Sequence, residues 1–227
     1  MLQDVDLTVN RGELLVVIRP SGSSRSTLCR TVNRLETIDS GTITIDGIRI
    51  PAEGRALAHL RADLELVFQS FNPFAHKTVL QNVTRRQVTA EAMAPREAKA
   101  VARVILERVG VAGRADKLPA QLSACQQQRV AITCALTMRP KVMLVDEPTS
   151  ALDPEMIDEV LDVMVALATA ATTMVVVTHE MGVARQAARR VVFIDAGRIV
   201  DEGDPETFFT SPCSERARDF LSEILTH

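Results

Sequence analysis

The sequence has no excess of positive charge. It carries 26 Lys and Arg against 29 Asp and Glu, which gives a formal net charge of −3 and an isoelectric point of about 5.9. A nucleic-acid-binding domain neutralises phosphates with a broad basic face, and this composition does not supply one. We therefore expect no nucleic acid among the partners of this chain.

Recognisable metal-binding and disulfide motifs are also missing. None of the four cysteines forms a CxxC pair, and none of the four histidines has HxxxH spacing. Cysteines without such a pattern most often serve as small buried hydrophobes, which suits a cytosolic chain with free thiols. The four are Cys29, Cys125, Cys134 and Cys213.

Nor does the sequence contain a long apolar run. Its most apolar stretch, Val163 to Val177, is interrupted by threonines and is shorter than the ~18 residues that a membrane-spanning helix needs. No basic segment followed by an apolar core and a cleavage site appears at the N-terminus, so secretion is not indicated. We interpret the apolar stretch as the end of a helix and the start of a buried strand.

Strand and helix patterns alternate along much of the chain. The apolar run Leu14 to Ile18 meets a loop rich in Pro, Ser and Gly, and a helix pattern begins at Ser26. Later, the strand Val142 to Val145 precedes a helix from Pro154 to Leu167 and another strand from Met174 to Val177. This alternation predicts an α/β fold with a mainly parallel sheet.

Two further regions complete the predicted architecture. A hairpin pattern around Asp46-Gly47 predicts an antiparallel β part near the N-terminus, and a helical block at about 70–138 interrupts the strands. Within that block, Val101, Ile105 and Val109 predict an amphipathic helix over residues 95–110. A chain of 227 residues suits one large domain, so we expect residues 1–227 to form a single α/β core with an inserted α-helical lobe.

Asp146 and Glu147 follow directly after one predicted buried strand. Open parallel sheets bind their ligands at this end of their strands. Adjacent acids there are costly unless they hold a cation or a water, which suggests Mg²⁺ coordination by Asp146 and orientation of an attacking water by Glu147. Taken alone, the pair is better explained as an exposed acidic turn.

The loop from Arg19 to Thr27 follows the first strand, where a phosphate-binding loop of the pattern G-x-x-x-x-G-K-[ST] would lie. Ser26 could offer a hydroxyl to Mg²⁺, and the helix that begins there would attract phosphate through its free N–H groups. Arg19 and Ser24, however, stand where the pattern has glycines, and Arg25 stands where it has lysine. The candidate nucleotide-binding residues of this loop are Ser21, Gly22, Ser23, Ser24, Arg25, Ser26 and Thr27.

Four more segments, in order, resemble motifs of the ATP-binding-cassette (ABC) ATPases. Gln69 resembles the Q-loop glutamine, Leu122 to Arg129 the signature, Val145 to Asp153 the Walker B motif with its D-loop, and Val177 to Glu180 the switch-histidine segment. The resemblance runs from residue 1 to residue 225. Four segments are most similar to the ATPases of polar-amino-acid importers: Asn33 to Glu36, Pro119 to Leu122, Asp153 to Met156 and Thr178 to Gly182.

The resemblance implies a P-loop ATPase that uses ATP and Mg²⁺. It assigns catalytic roles to Glu147, His179 and Gln69, metal contacts to Ser26, Gln69 and Asp146, and nucleotide contacts to Ser123, Gln126 and Asp153. Two such subunits would pair head to tail, so that Ser123 reaches the γ-phosphate bound to the other subunit. The pair would lie on the cytoplasmic face of the membrane, bound to transmembrane permease subunits and served by an extracytoplasmic substrate-binding protein.

Several residues depart from the family pattern. Arg19 and Ser24 replace glycines of the phosphate loop, and a side chain forced into the backbone conformation of such a glycine costs on the order of 1–3 kcal/mol. Ala124 and Cys125 replace two glycines of the signature, where added side chains would crowd the contact with the other subunit. The chain also begins after the strand that usually carries an adenine-stacking aromatic residue, and it has no Tyr or Trp. The alternative hypothesis is therefore a catalytically impaired or nonhydrolytic ABC subunit, regulatory or decayed.

Overall fold

The chain forms one central β-sheet with helices on both sides. The computed structural model describes residues 2–20, 27–51, 53–54, 57, 60–61, 63–68, 72–150 and 152–225. The strands are β1 (Leu14–Ile18), β2 (Thr44–Ile45), β3 (Ile48–Arg49), β4 (Leu64–Val67), β5 (Val142–Asp146), β6 (Met174–Thr178), β7 (Arg190–Asp195) and β8 (Arg198–Gly203). The α-helices are α1 (Thr27–Val32), α2 (Val79–Thr89), α3 (Pro95–Arg108), α4 (Ala124–Leu136), α5 (Pro154–Thr169), α6 (Met181–Gln186), α7 (Pro205–Thr210) and α8 (Glu215–Leu225).

In the described part of the chain, the main sheet has six strands, in the order β4-β5-β6-β1-β7-β8. The first five run parallel to one another, and β8 pairs with β7 in antiparallel orientation. β1, at the centre, is buried along its whole length because neighbouring strands flank it and packed layers cover both faces. The predicted α/β fold with a mainly parallel sheet is confirmed.

Alternate residues of β1 belong to different cores, as the two-residue period of a strand requires. Leu14, Val16 and Ile18 pack in the larger core, which helices α2 to α8 cover. Leu15 and Val17 pack in the smaller core with residues of α1 and of the β2–β3 hairpin. Asp46 and Gly47 connect the two hairpin strands with φ angles of 49° and 76°, the left-handed conformation that such a tight turn needs.

Three helices follow one another between Val79 and Leu136, within the range predicted for the helical lobe. Helix α2 begins with a capping box in which Thr78 and Gln81 exchange hydrogen bonds, and α3 begins with Pro95. Both are favourable starts, because they satisfy or remove backbone N–H groups that have no partner in the first turn. The single domain over residues 1–227 and the boundaries of the lobe stay predictions.

None of the helices in the described part of the chain is long and apolar enough to cross a bilayer.

A buried ion pair ties the start of β1 to the start of β7. The Glu13 carboxylate, 3% exposed, accepts hydrogen bonds from Arg190 Nε at 2.7 Å and from the Asn10 backbone N–H at 2.7 Å. Burial raises the pKa of Glu13, but Arg190 and Asn10 together hold it below its ordinary value. Since charged Glu13 is favoured in the folded state, its contribution to stability is present above its unfolded pKa and is lost as pH falls through its folded pKa.

Arg190→Met should therefore lower the free energy of unfolding by about 2 kcal/mol near neutral pH, because it removes charge-assisted hydrogen bonds from a buried carboxylate. The difference from wild type should shrink as Glu13 protonates in acid. Urea unfolding at neutral and acidic pH measures both effects. Arg198→Met is the control, since Arg198 pairs with the exposed Asp4. A loss that stays constant with pH would contradict the role of Glu13.

Candidate active site

Three neighbouring strands end at the same edge of the sheet. Ile18, the last residue of β1, is level with Thr178, the last residue of β6, and Asp146 at the end of β5 is level with Val177. The residues that follow are Arg19, Glu147 and His179. The sequence predicted ligand chemistry at this carboxyl-terminal edge, where open α/β sheets bind their ligands.

The two acids are buried at this edge. Asp146 is 3% exposed and Glu147 is 8% exposed. Glu147 has a φ of 49°, in the left-handed region that a residue with a side chain occupies at a cost on the order of 1 kcal/mol. Its backbone N–H donates to the Val177 carbonyl at 2.8 Å, and its carbonyl accepts from Ser150 Oγ at 3.1 Å. These bonds hold the strained turn that presents the Glu147 carboxylate.

His179 binds the Glu147 carboxylate directly. Its Nδ1 lies 2.7 Å from Glu147 Oε2, while its Nε2 lies 3.7 Å from Glu180 Oε1. The imidazole tautomer with a proton on Nδ1 can donate this hydrogen bond to the carboxylate oxygen. The His179 side chain is 45% exposed, against 10% for that of Glu147. The pair thus joins an oriented, buried carboxylate to an imidazole that faces outward.

Arg19 lies buried at the same edge, with only 7% of its surface exposed. Burial lowers the pKa of Arg19 below its ordinary value, while negative charges, first that of Asp146 and also that of Glu147, act to raise it. Arginine keeps its proton in proteins, so the site contains a buried positive charge near the two acids. The sequence indicated only that a glycine of the phosphate-loop pattern is replaced here.

Cys29 of helix α1 is buried in the smaller core, with Val17 of β1 and Leu144 of β5. Burial raises the pKa of its thiol far above the ordinary range, and the negative charge of Asp146 raises it further. Cys29 is therefore a neutral packing residue, as predicted. The same prediction is wrong for Cys213, which is exposed.

The donor atoms at this edge suit Mg²⁺ in its usual role beside a phosphate. Mg²⁺ is commonly bound by one or two carboxylates together with substrate phosphates, rather than by a complete protein cage. Asp146 and Glu147 supply carboxylate oxygens, and the described residues include no group of three or more His, Cys, Asp or Glu side chains arranged to hold a metal ion by themselves. This donor set fits Mg²⁺ held jointly by the protein and a nucleotide.

The signature segment begins helix α4. The Ser123 hydroxyl accepts a hydrogen bond from the Gln126 backbone N–H at 3.3 Å, and Gln126 Oε1 accepts one from the Ser123 backbone N–H at 3.3 Å. This capping box fixes the first turn of α4 with Ser123 exposed. Asp153 likewise lies exposed, at the N-cap of α5.

The side chains that replace two signature glycines point in different directions. Ala124 is exposed, whereas Cys125 is 1% exposed and its thiol donates to Glu159 Oε2 at 3.2 Å. Arg129 forms an ion pair with the same carboxylate, so Cys125 packs between α4 and α5. Of these two residues, only Ala124 adds a side chain to the exposed face.

The structure thus brings the predicted site residues Asp146, Glu147 and His179 together at one edge of the sheet. Arg19, which was not predicted as a site residue, lies at the same edge. Three more predicted residues lie at two helix starts: Ser123 and Gln126 at the start of α4, and Asp153 at the start of α5. Thr27 begins helix α1. The remaining predicted site residues lie outside the described part of the chain: Ser21, Gly22, Ser23, Ser24, Arg25, Ser26 and Gln69. Contacts with nucleotide and metal stay predictions for the whole set.

Comparison with known proteins identifies the family. The family model described as ABC transporter matches residues 2–150. The chain belongs to the ABC transporter family. Among its ABC relatives, the glutamate transport ATP-binding protein GluA of Corynebacterium glutamicum is 60% identical over 226 residues, covering 100% of this chain and 93% of the relative.

A second relative and a solved structure agree with this assignment. The glutamine transport ATP-binding protein GlnQ of Geobacillus stearothermophilus is 52% identical over 227 residues, covering 100% of this chain and 94% of the relative. The dimeric post-hydrolysis structure of the ATP-binding cassette MJ0796, bound to ADP and Pi, is 32% identical with a TM-score of 0.79. The alignment covers 90% of each chain. The fold described above is therefore that of an ABC ATPase cassette.

Proposed function

We propose that this chain is the ATP-hydrolysing subunit of an ABC importer for glutamate, glutamine or similarly polar amino acids. The observation that carries the catalytic proposal is the Glu147 carboxylate, held 2.7 Å from His179 and adjacent to Asp146 at the sheet edge. The names of GluA and GlnQ support the class of transported solute.

The residues at the sheet edge suit phosphoryl transfer to water. Glu147 would orient the attacking water and accept its proton, and His179 would keep the carboxylate in place through Nδ1. Asp146, with Ser26 and Gln69 by family resemblance, would hold Mg²⁺. When bound, Mg²⁺ neutralises charge on the ATP phosphates.

A head-to-tail dimer would complete each site. The exposed Ser123 at the start of α4 would face nucleotide held by the phosphate loop of a second subunit, with Gln126 and Asp153 contributing from their own helix starts. The MJ0796 cassette is dimeric in its ADP-bound structure, which supports this arrangement.

Replacing Ser123 of the signature should affect both the stability of the protein and its ATP hydrolysis, and a second capping-box variant distinguishes the two effects. Ser123→Ala and Thr78→Ala each break a capping box, so each should lower the free energy of unfolding by about 1 kcal/mol. Only Ser123→Ala should also lower ATP hydrolysis, by about tenfold, because it removes a hydroxyl directed at the second subunit's nucleotide. Urea unfolding and phosphate release measure the two effects. Equal ATPase activity of the two variants would contradict the trans role of Ser123.

The membrane partner would be a permease that receives the region from Gln69 to His76. Phe68, just before this region, is 43% exposed, and Phe74, within it, is 45% exposed. These exposed rings suit a docking surface for an apolar coupling element. We place the complex on the cytoplasmic face of the membrane, with an extracytoplasmic binding protein delivering the solute. Selectivity among amino acids would reside in those two partners.

Transport in a defined system tests the whole proposal. The chain would be co-purified with its permease, reconstituted into vesicles and supplied with the binding protein, ATP and Mg²⁺. ATP-dependent uptake of labelled glutamate or glutamine is the expected result. A complex that hydrolyses ATP but accumulates neither amino acid would contradict the proposed solute class.

The alternative of a nonhydrolytic subunit receives no support from the relatives, and phosphate release decides it. Turnover comparable with GluA would exclude it. Absent turnover with ATP binding in calorimetry would favour a regulatory subunit, and absent binding would favour decay. If the replaced site residues limit turnover, restoring the family pattern should raise it; the combined variant is Arg19→Gly, Ser24→Gly, Arg25→Lys, Ala124→Gly and Cys125→Gly.

A further inference from the structure

Arg19 is a buried cation at the end of the central strand. It follows Ile18, which is level with Thr178 of β6, and β6 separates β1 from β5. Two strand spacings of about 4.8 Å each lie between β1 and β5, a distance that an arginine side chain can span toward a carboxylate. Taking such a charge out of water costs several kcal/mol unless an opposite charge lies close to it.

The opposite charge comes from the acid pair. Asp146 and Glu147 are as deeply buried as Arg19, and Asp146 gives the largest electrostatic stabilisation of the charged arginine. His179 approaches Glu147 from the exposed side. The acid pair thus has the imidazole of His179 on its exposed side, and the buried positive charge of Arg19 lies at the same edge of the sheet.

We infer that Arg19 is the resident counter-ion of the Asp146–Glu147 pair and competes with the divalent cation for it. The second half of this inference rests on the proposed function, in which Asp146 holds Mg²⁺. A divalent cation at Asp146 would share this buried edge with the positive guanidinium, and like charges repel strongly in a buried site. Arg19 therefore lowers the affinity of the acid pair for divalent cations and stabilises the protein when no cation is bound.

A double-mutant cycle tests the counter-ion role in nucleotide-free protein. Arg19→Met removes the charge while keeping most of the volume, and it should lower the thermal midpoint by about 4 °C. In an Asp146→Asn background the same change should cost no more than about 1 °C, because the charge that Arg19 balances is gone. Arg19→Lys, which keeps the charge, should lie closer to wild type than Arg19→Met.

The control is Arg189→Met, an exposed arginine immediately before β7. Its effect on the thermal midpoint should be small, and it should be the same in the wild-type and the Asp146→Asn backgrounds. An equal cost of Arg19→Met with and without the Asp146 charge would overturn the counter-ion role and leave Arg19 as a packing residue only.

Cation binding tests the competition. Mn²⁺, followed by the loss of its free electron-paramagnetic-resonance signal, is the probe, and nucleotide is omitted. Arg19→Met should bind Mn²⁺ about tenfold more tightly than wild type, and Asp146→Asn in the same chain should abolish the gain. Equal affinity of wild type and Arg19→Met, or no binding by either, would overturn the competition.

The outcome of these two tests can be distinguished from a failure of the proposed ATPase function. Neither requires ATP, a permease or a second subunit, so a chain that hydrolyses no ATP can still show the coupling between Arg19 and Asp146. If the competition holds and the chain is an active ATPase, wild type should need a higher Mg²⁺ concentration for half-maximal phosphate release than Arg19→Met, and Arg19→Lys should lie closer to wild type. No shift for Arg19→Met would show that competition is absent.

Discussion

Glu147→Gln should reduce steady-state phosphate release by about 10²- to 10⁴-fold while leaving ATP binding in place. The amide has nearly the same shape as the carboxylate and can still accept the hydrogen bond from His179 Nδ1. It cannot take a proton from water, so the loss falls on the chemical step. Phosphate release with Mg-ATP measures the rate, and calorimetry with ATP measures binding.

The control for this variant is Glu223→Gln, an exposed glutamate on helix α8. It makes the same chemical change away from the sheet edge and should leave both measurements unchanged. A Glu147→Gln protein that keeps more than about a tenth of wild-type turnover would show that another group accepts the proton.

The acid pair could be predicted because its evidence is local. Four apolar residues identify a buried strand, and the rule that ligands bind at the ends of parallel strands assigns a place to the acids that follow. The role of His179 came from the family resemblance. The structure places its ring beside Glu147, because β6, which ends just before His179, pairs with β5.

The role of Arg19 could not be predicted in the same way. Comparison with the phosphate-loop pattern treats position 19 as a glycine that has been lost, and sequence spacing does not reveal how deeply a side chain is buried. One signal was available, because Arg19 directly follows a fully apolar strand and must end at the same edge as Asp146. An arginine in that place needs a nearby acid.

The sequence pattern also did not predict correctly which helix side chains point into the protein. The predicted helix over 95–110 is present as α3, and Val109 of the predicted apolar stripe is buried just after its end. Within the helix, however, Ala98, Ala102 and Leu106 are the buried residues, whereas Val101 and Ile105 are half-buried. Small alanines carry a weak apolar signal although they allow close helix packing. Cys125 illustrates the same limit, because its burial and its contact with Glu159, which show that it points into the protein, are visible only in the structure.

The C-terminal helices depend on an aromatic cluster around Phe193 of β7. Phe193 is 0% exposed, its ring stacks on Phe220 of α8 at 4.7 Å, and it lies 6.4 Å from the ring of Phe208 in α7. Phe193→Ala removes the central ring and leaves a cavity, so it should lower the free energy of unfolding by about 3–5 kcal/mol. For a chain of this size, the thermal midpoint should fall by about 10 °C.

Far-UV circular dichroism suits this measurement, since the chain has no Trp or Tyr to report unfolding by fluorescence. Phe74→Ala is the matched control, because Phe74 is 45% exposed and its loss opens no cavity in the core. A drop of less than about 1 kcal/mol for Phe193→Ala would mean that α7 and α8 collapse onto the vacated space. An early partial transition would instead show that these helices detach before the sheet unfolds, because Phe193 of β7 packs against an aromatic ring of each of them.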